Sequence, residues 1–400
     1  MYNFREISKD IYWVGGSDKR LSRFENLFPL PKGVAYNAYL IKDEKTAVLD
    51  SVDMAVSTLY IDNVKKALGG RDLDYIVVLH LEPDHSATLK ELMVNYPNAT
   101  VVVNQIGLRL FKQFFGDIYS NVQIVKEGDK LNLGSHELEF VFTPMAHWPE
   151  SMMAYESSKN ILFSSDAFGA FGSIDGALFD YEAGDNFDLS EYRRYYANIL
   201  GKYGQRVENA FSKLKSKDID MICPVHGHVL KDKIGLVLDK YSTWARYESE
   251  QRGITIAYAS MYGNTKDAAF LLANELASNG VTNIDLFDVS ETNISYIIAS
   301  IFKNSHFALL SPTYNLEIYP KMQALVDDMK MLTVRNKKAY VVGNGSWAPV
   351  VTDKLLNKVL ELQNVEIISE SLTIKSALND ETADQIRAAA KTIAEDIKSN

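Results

Sequence analysis

Residues 76–85 read I-V-V-L-H-L-E-P-D-H, and the last six positions carry four side chains able to bind a metal: His80, Glu82, Asp84 and His85. Imidazole and carboxylate donors together suit a divalent transition ion. The apolar, mostly β-branched run before them is that of a strand buried on both faces. Pro83 breaks the regular backbone, so the donors are expected on a loop at the strand's end. Carboxylates and imidazoles buried there without partners would be costly, which calls for a cation. The arrangement recurs along the chain. His147 lies in the proline-bounded loop after 138–142, Asp166 ends the run N-I-L-F-S-S that starts at Asn160, and His226 follows M-I-C-P-V at 221–225. His80, Glu82 and His147 could serve one ion, and Asp84, His85 and His226 a second, with Asp166 bridging them.

An isolated histidine is far more often a packed or solvated side chain than a ligand. The signal lies in the set, its order and its placement after buried strands. His136 and His306 fit no such pattern and read as ordinary. His228 faces differently from His226 in an extended segment and is read as no ligand. Glu82 is informative, because it brings the set to four histidines and three carboxylates, harder and more anionic than an all-imidazole site. Such mixtures suit iron or manganese, and carboxylate bridging suits a redox-active pair, although ligand type alone leaves zinc open.

A second constellation lies downstream. The strand 254–259 is followed by Ser260, Met261, Tyr262, Gly263, Asn264 and Thr265 and then by a helix. Small hydroxyl residues and a glycine there let backbone N–H groups converge on an anion at a helix N-terminus. It is neither a Walker loop nor G-x-G-x-x-G, and alone it would be read as a helix cap. Two more loops at strand ends raise it above that: Pro312, Thr313, Tyr314 and Asn315, and Gly345, Ser346, Trp347 and Ala348. Ligands of doubly wound sheets bind at such ends, and Tyr314 and Trp347 offer flat faces to a ring system.

The elements needed to position these loops are legible in outline. At 400 residues two domains are expected, and 46% hydrophobic with 24% charged residues is a globular composition. Residues 1–250 are strand-dense α/β or α+β. Strands fall near 11–15, 34–41, 46–49, 76–79, 100–103, 122–125, 131–133, 138–142 and 160–163, with helices at 58–68, 86–95 and 107–115 and helical patterns over 188–214. The segment 240–253 reads as a linker. From residue 251 to 400 strands and helices alternate, the pattern of an open parallel sheet covered on both faces. No apolar run approaches a membrane span, and the N-terminus lacks a signal-peptide core. The single cysteine, Cys223, fits a reducing cytoplasm. The net charge of −10 argues against nucleic acid as a partner.

The ordered donors H-x-E-x-D-H, then His147, Asp166 and P-x-H-G at 224–227, resemble the metallo-β-lactamase superfamily, whose zinc hydrolases usually carry histidine where Glu82 stands. The later loops resemble those of short-chain flavodoxins, with Ser346 and Pro349 in places where glycine is frequent. The two together, with F-E-N-L-F-P-L-P-K-G-V-A-Y-N-A-Y-L-I at 24–41, resemble the flavodiiron proteins, or A-type flavoproteins, of the minimal two-domain class. That resemblance implies an N-terminal metallo-β-lactamase-like αββα domain (1–250) with a non-haem diiron centre and a flavodoxin-like doubly wound domain (251–400) with FMN. It implies a cytoplasmic oxidoreductase reducing dioxygen to water, nitric oxide to nitrous oxide, or both. Electrons would come from rubredoxin or a similar donor, in a head-to-tail homodimer or a dimer of dimers. Tyr195 aligns with a tyrosine near the family's iron pocket and is expected either to donate a hydrogen bond or proton to substrate or merely to pack. The rival readings are a zinc-dependent hydrolase with an accessory flavodoxin-like domain and a non-enzymatic electron carrier.

Overall fold

The computed structural model describes residues 3–117 and 121–399. The chain folds into two compact units, one of residues 1–196 with 205–242, the other of 197–204 with 243–400.

The first unit is built on two sheets. One has the strand order Arg5–Ser8, Ile11–Trp13, Tyr39–Lys42, Thr46–Leu49, Tyr75–Val77, Thr100–Asn104, Val122–Val125. Its first four strands pair antiparallel and its last four parallel. The other orders Lys130–Asn132, Glu137–Phe142, Met152–Glu156, Ile161–Ser165 and Met221–Pro224, the last pair parallel. One apolar cluster joins them: Ile41, Leu49, Val77 and Val102 come from the first sheet, and Phe140, Met152, Ile161 and Phe163 from the second. Burial of this size is the dominant favourable term holding such a sandwich. Residues 34–41, expected as one strand, are two. Val34–Tyr36 pairs with Gly16–Asp18 and Tyr39–Lys42 enters the large sheet. The buried Asn37 sits at the break, and its side chain donates to the carbonyls of Pro224 and Gly227, both at 2.9 Å. The strand Met152–Glu156 was not foreseen; it is buried throughout, so no polar alternation marks it.

The helices of this unit carry ordinary caps. Ser57–Leu68 stops at Gly69, whose φ of 63° lies in the left-handed region glycine tolerates. Asn104 caps Gln105–Phe115, accepting from the N–H groups of Ile106 and Gly107. The expected helical stretch 188–214 is interrupted. Leu189–Tyr195 passes into a π turn at Tyr196–Leu200 before Gly204–Leu214 resumes.

In the second unit the five principal strands run parallel in the order Ile284–Asp288, Gln251–Tyr258, Asn304–Tyr314, Lys337–Asn344, Val365–Ile367. Numbered by sequence this is 2-1-3-4-5, the flavodoxin-type doubly wound order, whose switch point lies between the first and third strands. Leu372–Ile374 adds beside Lys337–Asn344, and the short Glu317–Ile318 hairpins back onto Asn304–Tyr314. The helices Asn264–Ser278 and Asp380–Lys398 pack their apolar faces against Ile254, Ile256, Leu310 and Val342. Among the described residues no helix is long and apolar enough to cross a membrane.

Candidate functional site

Four strands of the first unit aim their C-terminal ends at one spot. Tyr75–Val77 continues through buried Val78 and Leu79 to His80, and Pro83 then starts the single turn Pro83–Ser86, which turns Asp84 and His85 inward. Glu137–Phe142, Ile161–Ser165 and Met221–Pro224 lead to His147, Asp166 and His226. Among the described residues two groups of donors converge, His80, Glu82, His147 and Asp166, and Asp84, His85 and His226.

In the first group His80 Nε2 lies 3.2 Å from Glu82 Oε2 and 3.1 Å from Asp166 Oδ2. His147 Nε2 lies 3.1 and 3.2 Å from the same two oxygens. In the second, Asp84 Oδ2 is 3.2 Å from the Nε2 atoms of both His85 and His226, which are 3.0 Å from each other. Asp166 presents its other oxygen, Oδ1, to this group, 3.3 Å from His85 and 3.7 Å from His226. Its two oxygens thus face different groups, which is bridging geometry. Donors bound to one ion at about 2.0–2.2 Å stand roughly 3.0–3.5 Å apart, the spacing observed. Asp84 Oδ1 and Oδ2 are buried and make no hydrogen bond with the protein, a cost that a cation at this point removes. The residues therefore fit a pair of metal ions.

The electrostatics agree. Burial pulls His80 down, but Asp166, Glu150 and Glu82 outweigh it and hold the imidazole well above its ordinary value. Burial likewise opposes His85 and His147, yet Asp84 and Asp166 raise the first to about 9, and Asp166 and Glu82 raise the second to about 9. Burial would push Glu82 up; hydrogen bonds from His147 and His80 hold it far below the usual carboxylate range. The carboxylates thus demand positive charge at the imidazoles, and bound metal supplies it in place of protons. Aromatic rings wall the site and keep its dielectric low. Trp148 stands edge-on to His80 at 5.3 Å, Phe24 edge-on to His226 at 5.3 Å, and Tyr36 lies tilted at 5.8 Å from His226.

Tyr195 is buried, and its hydroxyl donates to Asp166 Oδ1 at 2.8 Å. Of the histidines outside the two groups, His228 bonds the carbonyl of Ala177, His136 pairs with Glu156, and His306 with Asp396. Three carboxylates near the site were missed. Glu150 Oε1 accepts from His80 Nδ1 at 2.8 Å. Asp50 Oδ1 accepts from the Leu79 N–H at 2.7 Å, and burial pushes its carboxyl up to about 6 against the pull of His85. Glu25 is exposed as a residue, but its carboxyl lies against Glu82 and is pushed up to about 7, by burial first and then by that neighbour. The available signal was weak: a carboxylate three residues after His147 and another at a strand end.

In the second unit a cavity of about 250 Å³ opens at the C-terminal strand ends. It is lined by Ser260, Met261, Tyr262, Asn264, Thr265, Pro312, Thr313, Asn315, Gly345, Ser346, Trp347 and Ala348, and additionally by Leu316, Asn344 and Ser376. Gly263 and Tyr314 do not line it. Gly263 precedes the helix Asn264–Ser278 with φ 98° and donates its N–H to Ser260 Oγ at 3.1 Å, and Tyr314 packs edge-on against Tyr319. Thr313 Oγ1 is buried and unpartnered within the lining, a hydroxyl ready for a ligand. A Cβ on Gly345 would meet Pro349 Cα at 2.6 Å and Thr313 Oγ1 at 2.9 Å. Tyr262 and Trp347 are 91% and 83% exposed and flank the opening. A helix N-terminus for a phosphate, backbone-close glycine and two free aromatic faces fit a flavin nucleotide.

Comparison with known proteins places both units. Residues 34–227 match the model of the ODP family beta lactamases, and residues 256–389 the flavodoxin model. An uncharacterized protein of Methanocaldococcus jannaschii is 33% identical over 376 residues, 94% of either chain. The anaerobic nitric oxide reductase flavorubredoxin of Salmonella arizonae is 32% identical over 360 residues, 88% of this chain and 74% of that one. Among solved structures, the flavodiiron protein of Giardia intestinalis superposes with a TM-score of 0.94 at 25% identity, covering 99% of this chain and 97% of its own. The rubredoxin oxygen:oxidoreductase of Desulfovibrio gigas does so at 0.93 and 26%, covering 99% of each.

Proposed function

The chain belongs to the flavodiiron proteins, and we infer from that premise and from its two sites that it is an oxidoreductase reducing dioxygen to water, nitric oxide to nitrous oxide, or both. The observation that carries the reading is the donor set divided by Asp166 into two groups, on a chain that also carries a flavin cradle. His80, Glu82 and His147 would hold one iron and Asp84, His85 and His226 the other, with Asp166 presenting an oxygen to each group. Three carboxylates would offset three of the four positive charges of two divalent cations, which suits a buried redox pair. A pair of irons held there would supply a site for a diatomic substrate and electrons to reduce it, and a bound FMN would supply one-electron resupply.

The chain's own residues do the rest. Tyr195 steadies Asp166 through its hydroxyl, and Trp148, Phe24 and Tyr36 exclude water. Ser260 to Thr265 take the flavin phosphate at the helix N-terminus, and the loops 312–315 and 345–348 take the ring. We place the diiron domain at residues 1–250 and the FMN domain at 251–400, the protein in the cytoplasm, and rubredoxin or a similar small carrier as donor. Membership of the family favours a head-to-tail homodimer or a dimer of dimers, in which the flavin of one copy would serve the irons of another. A hydrolase would leave the flavin cradle without work.

The test is metal content and visible spectrum of the purified chain. About two irons and about one FMN per chain are expected, and zinc without flavin would sink the reading. Anaerobic addition of O2, and separately of NO, to the reduced protein then measures the rate with each substrate.

A further inference from the structure

We propose that Glu150 makes the two metal positions unequal, as a positioning residue that backs His80 with a negative charge, so that the His80–Glu82–His147 position binds its ion more tightly than the Asp84–His85–His226 position. The proposal rests on the diiron reading above. Glu150 is 2% exposed. Its Oε1 accepts from His80 Nδ1 at 2.8 Å and from the Leu81 N–H at 3.0 Å. Its own carbonyl accepts from Asn104 Nδ2 at 2.6 Å, which ties it to the cap of a neighbouring helix. Oε2 is buried and makes no hydrogen bond with the protein, so the whole accepting power of the group is spent on the His80 loop.

At the other position no carboxylate is hydrogen-bonded to an imidazole: the buried Asp50 feels the charge of His85, but its Oδ1 is spent on the N–H groups of Leu79 and His80. His226 donates Nδ1–H to the neutral carbonyl of Ala35 at 2.8 Å, and His85 Nδ1 is buried without any hydrogen-bond partner. A carboxylate behind an imidazole fixes the tautomer with Nε2 facing the ion and makes that nitrogen a stronger donor; a carbonyl fixes the tautomer only. Glu150 also follows His147 by three residues, so one loop supplies a donor to the first position and braces another. Both effects act on the same ion.

The experiment uses the full chain with FMN bound, stripped of metal and dialysed anaerobically against Fe2+ buffered by a graded chelator series, with iron counted per chain. Wild type is expected to load in two steps. Glu150→Gln keeps the shape and can accept both N–H groups through its amide oxygen, but lacks the charge. The tighter step is expected to weaken about 10- to 100-fold, with the weaker step moving by less than about threefold. Glu150→Asp, which keeps the charge one methylene short, should fall between the two and carries the test should Glu150→Gln give no folded protein, as read by circular dichroism and FMN retention. Steps that weaken equally, or do not move, overturn the proposal. A wild type that takes up a single ion overturns the two-ion reading beneath it, an outcome that an unmoved variant with two wild-type steps does not produce.

Discussion

Asp166 faces the first donor group with Oδ2 and the second with Oδ1, and Oδ1 also receives the Tyr195 hydroxyl. Tyr195 therefore acts first on a ligand, since its hydroxyl is already spent on a carboxylate oxygen. Tyr195→Phe removes one charge-assisted hydrogen bond, a loss of about 1.5–3 kcal/mol in the grip on that oxygen. Iron content is expected to stay near wild type while kcat falls by about tenfold, and the Mössbauer spectrum of the iron pair should change. If the hydroxyl instead served substrate alone, the rate would fall with the spectrum unmoved. At this scale the sequence is readable where chemistry is local. Glu82, Asp84 and His85 announce themselves by crowding behind His80. Glu150 does not, because its partner stands 70 residues away and nothing short of the fold brings His80 Nδ1 to it.

Secondary structure sorts by the same division between local and distant causes. In the second unit the central strands carry apolar runs and the helices are amphipathic, so the alternation from residue 251 onward is legible, although the edge strand Ile284–Asp288 carries two aspartates and the short Glu317–Ile318 and Leu372–Ile374 escape it. In the first unit the failures are where a period is missing or shared. Met152–Glu156 is buried on both faces, and 34–41 serves two sheets through a break at Asn37 that only the Pro224 and Gly227 carbonyls explain. The π turn at Tyr196–Leu200 lies in a sequence that reads as continuous helix. Loops at strand ends are legible by residue type, but their clearances are not. Gly345 has an ordinary backbone conformation and is needed for space, since any Cβ runs into Pro349 and Thr313. Gly345→Ala should force the 345–349 loop outward, weaken FMN binding at least about tenfold, and cost about 1–3 kcal/mol in the second unit alone. Flavin fluorescence on dilution and urea unfolding read the two effects.

Electrons must cross from flavin to iron, and two arrangements can provide that: both sites of one chain, or the flavin of one copy facing the irons of another. Complementation separates the two. His147→Ala removes a donor from the first ion and leaves the flavin cradle intact; Gly345→Ala does the reverse. Assayed with FMN too dilute to load Gly345→Ala but sufficient for the intact cradle, each pure variant should be inactive in either arrangement. In a head-to-tail dimer, a mixed pair joins the intact flavin of the first variant to the intact irons of the second and restores one of its two working pairs. Random reassociation of equal amounts makes about half the dimers mixed, so about a quarter of wild-type turnover should return. If electrons stay within one chain, no mixture regains activity, because each chain lacks one half of its own relay. Unfolding is avoided by exchanging subunits at low concentration and reconcentrating, with mixed dimers counted by mass under native conditions. Mixed dimers present in the expected proportion with no recovered turnover would rule the head-to-tail relay out.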